Sequence, residues 1–231
     1  MGKQGKNSNY LTKWAEEHKR RKEEEALKRK KRNKTIAISA IAAIAVIGIV
    51  LGLGFGVFGW GNPHFKVTHY ATIEIENYGT VELELYGKEA PITVENFVKL
   101  TNEGFYNGLT FHRIIEGFMA QGGRNTSNPA ATIKGEFSYN DIDNNILHER
   151  GVISMARSDD YNSASSQFFI MHETTPDLDG LYAAFGKVIS GMDVIDKMCT
   201  SIETYSDGKT EGLVLPEKQP KITKLTVKDA D

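Results

Sequence analysis

Phe111-His112-Arg113-Ile114-Ile115-Glu116-Gly117-Phe118-Met119-Ala120-Gln121-Gly122-Gly123 is the most informative run in the chain. It predicts two short apolar strands joined by a turn at Glu116-Gly117. By strand alternation, Phe111, Arg113 and Ile115 should share one face of the first strand. On the second, Phe118 and Ala120 should oppose Met119 and Gln121. One arginine stands among aromatic and aliphatic side chains. A buried cation without a partner is costly, so a cation in such company is either paired or functional.

The chain around this stretch is punctuated like an all-β domain. Thr72-Ile73-Glu74-Ile75-Glu76 and Val81-Glu82-Leu83-Glu84-Leu85 alternate apolar and acidic residues about Asn77-Tyr78-Gly79. That is a hairpin with one face in a core and one in water. Ala90-Pro91-Ile92-Thr93 leads into a helix, with Thr93 expected as N-cap, Gly104 as the stop, and Phe97 and Leu100 facing inward. Residues 124–134 read as a polar loop. Strands are expected at 151–157, 167–171, 183–188 and 222–227, a short amphipathic helix from Met192 to Met198, and a polar loop over 201–219. Many short strands with two helices predict a closed β-barrel capped by helices.

The central stretch, with Ser165-Ser166-Gln167-Phe168-Phe169-Ile170 and Leu178-Asp179-Gly180, closely resembles the cyclophilin family of peptidyl-prolyl isomerases. Ala90-Pro91-Ile92-Thr93-Val94-Glu95-Asn96-Phe97 resembles that family's first helix, and the resemblance runs from about Tyr70 to Val227. Several ordered motifs at matching spacing are far harder to meet by chance than one short pattern. The resemblance implies a mainly β fold: a closed eight-stranded antiparallel barrel capped by two helices. It implies that Arg113 is the catalytic cation. Phe118, Met119, Phe169 and Leu178 would line a proline pocket, and Gln121 would bond the peptide backbone. Ala156, Arg157 and Gln167 would line the groove, with His112 and Tyr182 at its edge. Two departures stand out. Arg157 occupies a position where many members have asparagine. Asp177 stands where eukaryotic members have a tryptophan that contacts cyclosporin.

Such chemistry needs no nucleophile, acid–base pair or metal. The barrier to rotation about a peptide bond is ~18–20 kcal/mol and arises from amide resonance. A catalyst must hold the proline ring, let the preceding carbonyl turn and stabilise charge as it localises. Other classes lack their signatures: there is no G-x-S-x-G elbow and no phosphate-binding loop. His172-Glu173-Thr174-Thr175-Pro176 opens like a zinc-protease helix but has proline where the second histidine belongs. The six histidines are scattered, so neither a metal nor a cofactor is expected.

The net charge of −2 hides an asymmetry. Residues 1–34 carry thirteen Lys and Arg against five Glu, whereas the remainder carries fifteen bases against twenty-five acids. Thr35 to Gly61 contains no charged residue and is long enough to cross a hydrocarbon core, which needs ~20 residues. Phe58 and Trp60 lie at its far end, where an aromatic belt is expected, and Lys28-Arg29-Lys30-Lys31-Arg32 precedes it. The expected organisation is a basic cytoplasmic segment (1–34), a transmembrane helix (35–61), a linker (62–69) and a cyclophilin-like domain (70–231) outside the cytoplasm. The long basic start and long apolar run favour an uncleaved anchor over a cleaved signal peptide. Beside such a span, anionic lipid is the expected partner of the basic cluster, rather than nucleic acid. Gly48, Gly52 and Gly56 repeat every fourth residue and would permit close approach of two anchors in a homodimer. The single cysteine, Cys199, follows Met192, Ile195 and Met198 at helical spacing and reads as a buried core thiol. Proline-containing polypeptides are the expected substrates. The competing reading is a membrane-anchored chaperone module that binds proline segments without turning them over. A third places the function in the charged N-terminal segment.

Overall fold

The structure, a computed structural model, describes residues 65–230. The basic segment, the apolar run 35–61 with its glycine repeat, and the start of the linker lie outside the described residues. Among the described residues no helix is long and apolar enough to cross a membrane.

Alternation of apolar and acidic side chains builds the first hairpin. β1 (His69–Ile75) and β2 (Gly79–Leu85) pair in antiparallel register, with Ile73 opposite Val81. Ala71, Ile73, Ile75, Val81, Leu83 and Leu85 are buried, while Glu74 and Glu82 face solvent or remain part-exposed. Asn77 (φ 64°) and Gly79 (φ 130°) make the turn. The chain is already part of the fold before β1: Thr68 N–H donates to the Leu85 carbonyl at 2.9 Å, and the Phe65 ring lies 5.2 Å from that of Tyr86.

α1 (Pro91–Asn102) buries Val94, Phe97 and Leu100 in the main core. The rings of Tyr106, Phe185 and Phe168 surround Phe97 at 5.2, 5.3 and 5.8 Å. Thr93 is not the N-cap. The helix begins at Pro91, Ala90 is the cap, and Thr93 is buried with Oγ1 unpartnered among the described residues. The first-turn donors go instead to the buried carboxylate of Glu136, which accepts from Ile92 N–H at 3.0 Å and Thr93 N–H at 2.7 Å. Proline at the first helical position has no N–H to satisfy, and a carboxylate suits the positive end of the helix dipole. Gly104 (φ 70°) ends the helix as expected; Phe105 N–H returns to the Leu100 carbonyl.

β3 (Phe111–Ile115) and β4 (Met119–Gly122) form the central hairpin, with Gly117 (φ 74°) in its turn. Strict alternation fails in β3. Phe111 opposes Gly122 and Arg113 opposes Gln121, so a bulge places two residues of β3 against one step of β4. Phe111 therefore enters the main core with Ile114, while Arg113 and Ile115 point to the other face.

β5 (Val152–Met155), β6 (Phe168–Met171), β7 (Ala184–Ser190), α2 (Met192–Ser201) and β10 (Ile222–Asp229) lie where the sequence placed them, with shifts of one to three residues at their ends. Cys199 is buried on α2, and burial pushes its thiol up to about 12. Residues 201–219 are more than a polar loop: β8 (Thr204–Tyr205) and β9 (Leu213–Val214) pair there, and Leu213 opposes Arg113. The result is one antiparallel sheet of ten strands in the order β10-β1-β2-β7-β5-β6-β4-β3-β9-β8. The expected closure into an eight-stranded barrel is absent as a ladder, since β3 does not pair with β10. The segment entering β3 meets the start of β10 through a single bridge, Thr110 to Lys221, and three backbone hydrogen bonds. The chain is irregular at both places, with a bulge in β3 and Pro220 before β10. Proline cannot donate to a ladder.

Candidate functional site

The site lies on the face of β4 and β6 turned away from the main core. Ala120, Phe168 and Ile170 belong to that core. Their alternating neighbours Met119, Phe169 and Met171 form a second apolar cluster with Tyr86, Ile146, Val152 and Ala184. Strand register carries the row across the sheet: Arg113 opposes Gln121, Gln121 opposes Phe169, and Phe169 opposes Ser154. Side chains opposite one another on one face stand ~5 Å apart, so this row brings a cation, an amide and an aromatic ring together.

A cavity of about 110 Å³ opens there, lined by Arg113, Phe118, Met119, Gln121, Ala156, Arg157, Phe169, Leu178 and Tyr182. All nine were expected from the sequence. Gln167 lies behind them and accepts a hydrogen bond on Oε1 from Gln121 Nε2 at 3.1 Å. His112 does not line the cavity. It is buried, and its pKa is pushed down to about 4, chiefly by burial and then by the Arg124 charge. The bulge that turns Arg113 into the cavity leaves His112 buried beside it.

Arg113 is held from two sides. Its Nε donates to the Glu211 carbonyl at 2.9 Å, and Nη1 donates to Gln121 Oε1 at 3.3 Å. Among the described residues no carboxylate forms an ion pair with it. Burial lowers its pKa from the ordinary arginine value, which still leaves it charged. The guanidinium is thus fixed in place without a direct ion pair, its charge offset only in part by the more distant Glu211 carboxylate.

The turn that presents Phe118 is clamped by His172. Gly117 N–H donates to His172 Nδ1 at 2.9 Å, and the Phe118 carbonyl accepts from His172 N–H at 2.9 Å. Beneath Phe169 lies the buried His148, whose ring stacks on it at 6.0 Å with planes 18° apart. His148 Nδ1 is 3.1 Å from Asp179 Oδ1 and Nε2 is 3.0 Å from Ser154 Oγ. These partners assign the proton to Nδ1, with the serine hydroxyl donating to Nε2. Burial lowers the pKa of His148 against the opposing pull of Asp179.

The sequence reading missed His148, Ser154, His172 and Glu211. Asp179 stood inside a quoted motif without a role. Glu211 contributes only a backbone carbonyl, which leaves no mark in residue identity. Among the described residues no three of His, Cys, Asp or Glu converge so as to hold a metal ion.

A small cavity with apolar side chains, a fixed cation and an amide at its wall fits a site that orients a polypeptide without attacking it. The family model described as cyclophilin type peptidyl-prolyl cis-trans isomerase/CLD matches residues 70–227. The chain belongs to the cyclophilin family. Peptidyl-prolyl cis-trans isomerase B of Bacillus subtilis is 47% identical to this cyclophilin over 127 residues, 53% of this chain and 85% of that protein. A peptidyl-prolyl cis-trans isomerase of Helicobacter pylori is 47% identical over 137 residues, 57% of this chain and 80% of that protein. A crystal structure of a Cryptosporidium parvum cyclophilin in the presence of the dipeptide Ala-Pro superposes with a TM-score of 0.58 at 24% identity. It covers 70% of this chain and 99% of that one, and speaks to the fold alone.

Proposed function

We propose that this cyclophilin, a peptidyl-prolyl cis-trans isomerase like its relatives, is anchored in the cell membrane and assists the folding of extracytoplasmic proteins by Arg113-assisted rotation of X-Pro bonds. The observation that carries the mechanism is the fixing of Arg113 beside the cavity's apolar side chains without a direct ion pair. The proline ring seats on Met119, Phe118, Phe169 and Leu178. Gln121, oriented by Gln167 and Arg113, bonds the peptide backbone. As the amide twists, resonance is lost and electron density returns to the prolyl nitrogen. A cation held in advance stabilises that charge without reorganising. The Bacillus subtilis and Helicobacter pylori relatives, both peptidyl-prolyl cis-trans isomerases, support a proline-containing ligand. We also infer that the Thr110–Lys221 bridge serves as the closure of the barrel.

The apolar run 35–61 and the basic cluster before it support the anchor, with the cluster resting on anionic lipid and the N-terminus in the cytoplasm. The repeat of Gly48, Gly52 and Gly56 would let two anchors associate. A proline-isomerisation assay on the purified protein tests the activity: acceleration that Arg113→Ala sharply reduces supports it. Peptide binding without acceleration would instead favour the non-catalytic chaperone module. Protease added outside intact cells should reach the domain and spare residues 1–34; the reverse pattern would overturn the topology.

A further inference from the structure

The second cation of the cavity has no part in the rotation step. Arg157 follows β5 at the cavity rim, where it is half-buried. Its guanidinium carbon lies 4.7 Å from the centroid of the Tyr182 ring, 4.9 Å from Tyr161 and 5.2 Å from Phe137. Nε donates to the Leu181 carbonyl at 2.9 Å, and Nη1 donates to the Ser158 carbonyl at 2.8 Å and the Asp159 carbonyl at 3.5 Å. Nη2 donates to none of the described residues. Asp159 and Asp160 follow closely in sequence, and Asp177 lies in the short helix beside Leu178. Yet no carboxylate of the described residues comes within 4 Å of the guanidinium.

Three aromatic faces and three carbonyls hold the side chain in one place, so its charge is positioned before any ligand arrives. Ring faces and neutral carbonyls stabilise a cation but do not neutralise it. The cavity therefore has an apolar floor between two guanidinium groups, Arg113 at the twisting amide and Arg157 at the rim. At about 110 Å³ it has room for little more than a proline ring, so flanking residues must pass over the rim. A carboxylate there would meet Nη2. An ammonium there would meet like charge.

Building on the isomerase reading, we propose that Arg157 is a specificity-determining residue that selects proline segments with an aspartate or glutamate close to the proline. A single rim ion pair is a modest attraction. It corresponds to a preference of about 2- to 5-fold.

The test uses the full chain in mild detergent with a set of short peptides. Each has Glu, Gln or Lys at one of the two positions before or after a single proline. At one position, kcat/KM should favour Glu over Gln by about 2- to 5-fold and disfavour Lys by a similar factor. Both ratios should approach one at ~1 M salt, where the screening length is about 3 Å. Arg157→Gln should bring them to one at low salt, whatever it does to the overall rate. Arg157→Lys should keep part of the preference. A wild-type ratio near one at every position, or a ratio that survives in Arg157→Gln, would overturn the proposal. If no peptide is turned over, the isomerase reading fails instead. The Kd ratios of the same labelled peptides then decide on Arg157 by the same criteria.

Discussion

Arg113 lies opposite Gln121 in the β3–β4 hairpin and donates through Nη1 to its Oε1 at 3.3 Å. Gln121 in turn donates to Gln167, so the cation sits at the end of a polar chain that runs from β3 across β4 to the residue before β6. A hydrogen bond to a charged group contributes ~1.5–3 kcal/mol. At ~1.36 kcal/mol per tenfold in rate, Arg113→Ala should lower kcat/KM roughly 10- to 150-fold. Lysine should rescue poorly, because a flexible point charge cannot hold Glu211 and Gln121 together. Circular dichroism should show an intact fold. A folded Arg113→Ala protein with near-normal kcat/KM would rule out the mechanism.

Gly212 packs so close to β3 that an added Cβ would overlap Ile115 Cγ1 and the Ile114 carbonyl oxygen, and its φ is 76°. Gly208, at φ 85° in the same loop, has open space around the corresponding position. Alanine at either should cost ~1–2 kcal/mol for the left-handed backbone. Only Gly212→Ala should also lift the 201–219 segment off β3, withdraw the Glu211 carbonyl from Arg113 and reduce kcat/KM several-fold. Thermal melts and kinetics on the pair separate the two effects. Equal behaviour of the two variants would show that docking of this loop does not matter.

His112 predicts how stability depends on pH. Its folded-state pKa of about 4 is below the unfolded value of 6.5. Between these values the unfolded chain binds a proton that the native state does not. Stability from this group is therefore full above pH 6.5 and is lost as pH falls towards 4, by up to ~3 kcal/mol. His148 shifts in the same direction and adds to the slope. Unfolding in urea between pH 4 and 7 should show the loss, and His112→Gln should flatten it. An unchanged slope in that variant would assign the effect elsewhere.

Asp177 predicts weak inhibition by cyclosporin. It is exposed in the short helix Pro176–Leu178, next to the pocket residue Leu178. A carboxylate there must be partly desolvated by an apolar macrocycle and offers no ring for contact. Asp177→Trp should tighten the inhibition constant; no gain would discount this explanation.

Wherever a side chain's own pattern reports its surroundings, local order along the chain is enough to predict the structure. Acid–apolar alternation was enough for β1 and β2, because each strand has one wet face and one dry face. Gly104 marked the end of α1, because a left-handed residue favours glycine. The motifs named all nine residues lining the cavity. The rest depends on long-range packing. The bulge that separates Phe111 from Arg113 is a property of strand pairing, and period-two reading cannot see it. Glu136 caps α1 from more than forty residues away, displacing the local candidate Thr93. His148 reaches Phe169 and Ser154 only once Asp179 orients it. The Glu211 carbonyl reaches Arg113 only because Gly212 lets its loop lie flat on β3. Each of these is a hydrogen bond or close approach between segments distant in sequence. Such contacts follow from the packing of the whole domain and leave no periodicity in the chain around them.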